Sequence, residues 1–564
     1  MVPIRDSRNR IPRGRILLGL ILTFALVAAA CGDNGTSDAE STDAESTTST
    51  TAVVTTTVET ATITIAVPTD PATMDPNGVT GVRDLDMYIN LFSGLTRHVV
   101  EPNPDAPGHF QWSRTEVEPS LAESIDISDD GTVYTFKIRQ GLNFPSGNPL
   151  TAEDFRYSWE RGLAAPGSIT EFELGVAEIS DMSQVQVLDD FTLQLTLPRP
   201  NPRILRVFAL SVMSAVDSAL LKSEATDDDP WANEYARTNP AGYGPYVLES
   251  NEPGSRKVFV PNPDWWEPSS AGKSIIVYQI VPTTAQRLLL VQEGAVDMAF
   301  AMSARSAEDV EDDPNLSVLN FETLAERYLA FQQFKEPFGN PLVREAMAHA
   351  INYQRIIDEV YFGAAVRMES GIPVGHEGFL PSFPYEEDLD LAKALLTEAG
   401  FPDGFDAELM IESDLPAQMA LAVQLQGDLA RIGINITPAA TPGAEMASRM
   451  GGHEDADYEL VIGVCTPWLP EPWYTSNLMF HSGNTCSLTY ENPIVDAMVE
   501  DMKLLPSAEE VNELVAQVQA IWSEDIGYIP LVQPNQIQIL RSDLRGFLMT
   551  NEDESIYFAF LERG

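Results

Sequence analysis

Cysteine, histidine and basic residues are all scarce in this chain of 564 residues, and each scarcity excludes something. Three cysteines, Cys31, Cys465 and Cys486, are too few for a disulfide-dense scaffold, and none stands in a CxxC pair that suggests a zinc module. The six histidines (His98, His109, His349, His376, His453 and His481) show no HxxxH or HxH spacing, so no helix-borne metal pair is encoded and no metal or cofactor is expected. There is no GxSxG elbow and no cysteine beside an evident base, which removes the usual nucleophilic enzymes. Lys plus Arg number 34 against 84 Asp plus Glu, a net charge of -50. Such a surface repels phosphate backbones and anionic lipid, excluding nucleic-acid binding and electrostatic membrane docking. Acids this abundant also make any chance Asp/Glu pair worthless as a glycosidase signal. Beyond the first 30 residues no apolar run approaches the ~20 residues that span a bilayer, so a soluble body is expected. No repeat of 20–50 residues occurs, which rules out solenoids.

What is present begins with an address. Arg5, Arg8, Arg10, Arg13 and Arg15 precede an apolar run over residues 16–30, the layout of a signal peptide. The run ends Val27-Ala28-Ala29-Ala30-Cys31, which resembles the lipobox of bacterial lipoproteins, with Ala28 in place of the usual leucine. The resemblance implies that Cys31 is acylated; an ordinary secretory signal is the alternative. Residues 32–61 hold 14 Ser or Thr and no aromatic. They cannot bury enough apolar area to offset ordering entropy, and read as a tether of roughly 30 Å. Residues 1–30 are thus expected as signal peptide and 31–61 as anchor and tether. A tethered body belongs to the cell envelope, at the outer face of the cytoplasmic membrane, touching membrane through its lipid alone.

The body is 44% hydrophobic over the whole chain, enough for several globular cores. Strands are expected over 63–67, 434–436 and 528–531, and a hairpin at Asp129-Asp130-Gly131 with Tyr134, Phe136 and Ile138 on its buried face. Thr151-Ala152-Glu153-Asp154 looks like a capping box opening a helix. Further helices are expected over 283–292, 342–361, 391–399, 418–431 and 511–521. Alternation of the two periods argues for an α/β fold.

The order of particular motifs then becomes recognisable. EPSLAES at 118–124, DGTVYTFKIRQG at 130–141 and FPSGNPLTAED at 144–154 come first, followed by GYGPY at 242–246, NPDWW at 262–266 and EGAVD at 293–297. Pro337-Phe338, Arg344-Glu345-Ala346 and Ala350-Ile351-Asn352 follow. Together they resemble the bacterial extracellular solute-binding proteins, family 5, over essentially everything from Ile63 onward. The resemblance implies a two-lobe periplasmic-binding-protein-like clamp, type II, with an additional third lobe. Lobe I would comprise 62–100, 190–325 and 530–564, the additional lobe 101–189 and lobe II 326–529. The hinge strands would lie near 328–334 and 529–536. A monomeric receptor would capture a peptide or peptide-like solute by lobe closure and hand it to the permease subunits of an ABC importer. The alternatives are a secreted α/β hydrolase and a sensory or cell-wall receptor without transport.

Candidate ligand contacts rest on that resemblance and on local chemistry. Dipeptide-binding relatives place an Asp in the stretch that here reads Cys465-Thr466-Pro467-Trp468-Leu469-Pro470-Glu471-Pro472-Trp473, where Glu471 is the nearby acid. Trp468 and Trp473 are candidates to stack on a solute. Where such relatives carry an Arg, Glu412-Ser413-Asp414 stands instead. A buried carboxylate needs a partner, so Glu412, Asp414 or Glu471 in a cleft would favour a cationic or amine-bearing solute; solvated loop acids are the alternative. Tyr243 of the GYGPY motif completes the set. Cys465 and Cys486 are either a disulfide or two buried thiols.

Overall fold

The structure is a computed structural model that describes residues 60–564 apart from 79–82, 202, 414, 452, 485, 506, 551, 553 and 554. The expected signal peptide, Cys31 and the tether lie outside the described residues, as does Asp414. Among the described residues no helix is long and apolar enough to cross a membrane.

Two mixed sheets carry the molecule. The first runs in the order Leu316–Phe321, Gln536–Arg541, Met298–Met302, Thr62–Val67, Ile275–Ile280, Arg256–Pro261, Tyr246–Glu252. Its middle is parallel: Thr62–Val67 pairs in the same direction with Ile275–Ile280 and Met298–Met302. The second runs Ala365–Arg367, Ile529–Pro534, Glu326–Phe331, Leu460–Cys465, Phe405–Glu412, Ile434–Thr441. There Phe405–Glu412 is parallel to both Ile434–Thr441 and Leu460–Cys465. Parallel strands must be joined by crossovers that cover the faces, and their continuous apolar runs (Ile63, Ile65, Ala66 and Val67; Leu460, Val461 and Ile462) are buried accordingly.

A smaller antiparallel sheet orders Ala122–Ile127, Val133–Ile138, Thr192–Thr196, Val185–Asp189. Tyr134, Phe136 and Ile138 point into its core, as the alternation demands. Because Val133–Ile138 pairs with Thr192–Thr196, this sheet runs past residue 189. Phe110–Pro119, by contrast, pairs with Leu548–Met549 of the C-terminal stretch. Strand partners hundreds of residues apart leave no local trace. The helix Ala152–Leu163 opens on the Thr151–Asp154 capping box, with Thr151 N donating to Asp154 Oδ2 at 2.7 Å. It buries Phe155 and Trp159 one turn apart, and Trp159 stacks on Phe208 with ring centroids 4.8 Å apart.

The helix expected over 342–361 is interrupted. Pro341–Ala350 stops as Ile351 turns extended, and Asn352 restarts the chain by accepting from Arg355 N at 2.8 Å. The Asn side chain competes with the helix backbone and favours a new cap over continuation. Cys465 and Cys486 are joined in a disulfide, with Cα atoms 6.0 Å apart.

Candidate binding cleft

The chain passes between the two main sheets twice. Leu316–Phe321 leads to Glu326–Phe331 through residues 322–325, and Ile529–Pro534 leads to Gln536–Arg541 through Asn535. The crossings are tied together: Thr323 Oγ1 donates to Pro534 O at 2.9 Å, and Gln533 Nε2 donates to Thr323 O. Two short, mutually bonded crossings are the arrangement a hinge between two lobes would use.

Beside this hinge lies a cavity of about 440 Å³. Part of its lining comes from the C-terminal ends of the parallel strands in both sheets and the residues just beyond them. Pro68 and Ser303 come from the first sheet, and Glu412, Pro442 and Thr466 from the second. In α/β sheets the carboxyl ends of parallel strands are where crevices open, because the crossover loops splay apart there. The volume suits a small organic solute.

The wall on the first-sheet side is self-satisfied. Asp70 is ion-paired with Lys257. Asp84 accepts from Ala72 N at 2.6 Å and Thr73 N at 3.2 Å. Arg83 lies 3.0 Å from Asp86 and sits over the Phe300 ring at 4.6 Å. Asp86 is fully buried, and burial pushes its carboxyl up against the opposing pull of Arg83, Tyr278 and the Ile556 amide.

The wall on the second-sheet side is different. Arg327 donates through Nη1 to Glu326 O at 2.9 Å, and among the described residues no carboxylate pairs with it. Tyr361 is 9% exposed, its hydroxyl has no hydrogen-bond partner among the described residues, and burial raises its phenol against the pull of the Arg327 charge. Gln418 is 1% exposed; its Oε1 accepts from Glu412 N at 2.7 Å, while its Nε2 has no partner among the described residues. Glu412 packs its carboxylate against Gly443, where a Cβ would come within 2.9 Å of Oε1. Gly443 opens the helix Gly443–Met450, whose amino end favours a carboxylate beside it.

Of the residues singled out from sequence and described here, Glu412 lines the cavity, whereas Trp468, Glu471, Trp473 and Tyr243 do not. Glu471 is buried and ion-paired with Arg203 and Arg206, so its charge is matched within the protein. Trp473 is buried between the Arg203 guanidinium at 5.0 Å and the Lys503 ammonium at 5.1 Å. Trp468 lies in the irregular stretch before the helix Pro472–Phe480, and Glu471 stands at that helix's amino end beside the two arginines. Trp468 is 6% exposed and belongs to the core. Tyr243 is fully buried, stacks on Trp265 at 5.5 Å and donates to Asp264 O at 2.7 Å. Sequence reading missed Arg327, Tyr361 and Gln418. Arg327 carried a signal: a charged pair, Glu326-Arg327, opens an otherwise apolar strand.

Comparison with known proteins agrees with this architecture. Residues 116–486 match the family described as bacterial extracellular solute-binding proteins, family 5 Middle. The chain is 26% identical to the probable D,D-dipeptide-binding periplasmic protein of Escherichia coli, over 86% of this chain and 91% of that one. It is also 26% identical to di/tripeptide-binding protein 1 of Pseudomonas aeruginosa, covering 85% and 90%. Among solved structures, the periplasmic binding protein DppA of Helicobacter pylori in complex with the peptide STSA superposes with a TM-score of 0.76 at 25% identity, covering 88% and 98%. A dipeptide-binding protein of a Pseudoalteromonas species, in complex with Met-Leu, shares the fold with a TM-score of 0.77 at 20% identity, covering 89% and 100%.

Proposed function

The chain belongs to the bacterial extracellular solute-binding proteins, family 5, and we propose that it captures a peptide or peptide-like solute by closing its two sheets about the cleft, then delivers it to an ABC importer. The observation that carries the reading is the cavity itself, set at the carboxyl ends of parallel strands from two sheets joined by two tied crossings. A solute touching both walls favours the closed arrangement by its differential affinity for it, and closure is what a permease can read. The relatives are binding proteins, and two of them are named for dipeptides or tripeptides. No transformation of the solute is proposed. Anchoring through an acylated Cys31 and a Ser/Thr-rich tether would keep the receptor at the outer membrane face; Cys31→Ser should abolish lipid labelling, and continued acylation rejects the anchor. The functional test is native mass spectrometry of the protein purified from its host, with calorimetry against dipeptides and tripeptides. A co-purified peptide returned unaltered supports the proposal. Consumption of the peptide would establish the hydrolase, and binding without a transport defect on gene deletion would establish the sensory receptor.

A further inference from the structure

Resting on that reading of the cleft, we infer that the corner formed by Arg327, Tyr361 and Gln418 recognises a carboxylate of the solute. The three residues lie on elements that meet at one wall. Arg327 is on the hinge strand Glu326–Phe331, where its cross-strand neighbours are Val464 and Val532, neither able to accept a hydrogen bond through its side chain. Tyr361 follows the turn Ile356–Val360, which packs on the helix Pro416–Ala430 that carries Gln418. In a chain with 84 acidic residues against 34 basic ones, carboxylate partners are plentiful. Even so, among the described residues none pairs with Arg327, although the guanidinium is half-buried.

The open groups can all donate. The guanidinium has N–H groups to spare beyond the one bonded to Glu326 O. Gln418 has its acceptor engaged by the Glu412 amide, which leaves the Nε2 donor open at 1% exposure. The Tyr361 hydroxyl supplies a third donor at 9% exposure. A buried donor without a partner is costly, and here two of them line one cavity beside an arginine. Two neutral donors beside an arginine complement an oxygen-rich anion of low charge, and charge-assisted hydrogen bonds to a carboxylate are the strongest such a corner can make. An ammonium group would face the Arg327 charge here, with the Tyr361 hydroxyl oxygen as its one acceptor among these three side chains. The corner therefore orients the solute, with its acid toward the hinge.

A carboxylate can come from a chain terminus or from an acidic side chain, and calorimetry on the mature protein separates these. The probes are dialanine and trialanine, their C-terminal amides, and alanyl-glutamate amide. The expected result is binding of the free acids at least tenfold tighter than of the amides. If alanyl-glutamate amide alone binds, the corner takes a side-chain acid instead, and the inference still holds. Arg327→Gln should weaken the acids at least tenfold while leaving amide affinity within about twofold; Arg327→Lys should recover part of the loss, and Tyr361→Phe should show a smaller loss of the same selectivity. Equal affinity for acids and amides overturns the inference and leaves the receptor standing, as does an Arg327→Gln protein that weakens both series alike. Failure of every probe to bind overturns the peptide reading of the cleft, and the inference falls with it.

Discussion

Replacing Glu173 by Gln should stabilise this protein at neutral pH and do nothing in acid. Glu173 lies on the helix Ile169–Val176 and is completely buried. Tyr474 Oη, on the helix Pro472–Phe480, donates to its Oε1 at 2.8 Å, but Oε2 has no partner among the described residues. Burial is the dominant cause of its perturbation, the Tyr474 bond opposes it and the nearby Glu552 adds to it; together they push the carboxyl up to about 8 from its ordinary 4.5. The folded state thus holds a proton that the unfolded state has already released across the window between those values. Stability falls with rising pH through that window, because the native state binds more protons there. At pH 7 the unfolded chain gains about 2.5 pH units of deprotonation free energy, at about 1.4 kcal/mol each, or on the order of 3 kcal/mol. The amide of the Glu173→Gln variant would be neutral at every pH and would keep an acceptor for Tyr474, so the variant should recover that amount at pH 7 and nothing at pH 4. Urea unfolding of wild type and Glu173→Gln at both pH values measures it. An equal effect at pH 4 and pH 7, or destabilisation at pH 7, refutes the argument.

Three further outcomes are expected. Glu471→Ala leaves Arg203 and Arg206 without their shared counter-charge in a nearly buried setting, and urea midpoints should report a loss of about 3 kcal/mol, as breaking such a pair from one side does. Cys465→Ser with Cys486→Ser removes a bridge across a separation of 21 residues; a fall in stability of about 3 kcal/mol is expected from loop entropy, and an unchanged midpoint would show that the bridge constrains nothing. Trp468→Ala deletes a side chain packed in the core. It should cost about 3–5 kcal/mol in thermal or urea unfolding, whereas weakened solute binding at full stability would return Trp468 to the site.

Much of the body was legible wherever the information is local. The Thr151–Asp154 box did open a helix, and Tyr134, Phe136 and Ile138 did face inward, because capping and alternation depend on neighbours two to four residues away. The break at Ile351 and Asn352 was not legible from hydrophobic spacing, since Val343, Met347, Ala350 and Ile351 fit one helical face whether or not the helix stops there. The cleft was harder still. The segment around Trp468 was dense in aromatics and proline, yet those aromatics proved to be core, and of the residues named from sequence and described here it was Glu412 that reached the cavity wall.

The amino-acid order by itself determined the class of protein: its acidity, the alternation of strand and helix, the motif series, and hence a solute-binding clamp rather than a nucleic-acid binder. The tertiary structure decided which charges are spoken for. Glu471 is neutralised by arginines more than 260 residues away, while Arg327, beside a glutamate in the chain, faces a cavity among the described residues without a carboxylate partner. Coulomb and hydrogen-bond energies depend on distance and burial in space, and spacing along the chain encodes neither once strands from distant segments are laid side by side.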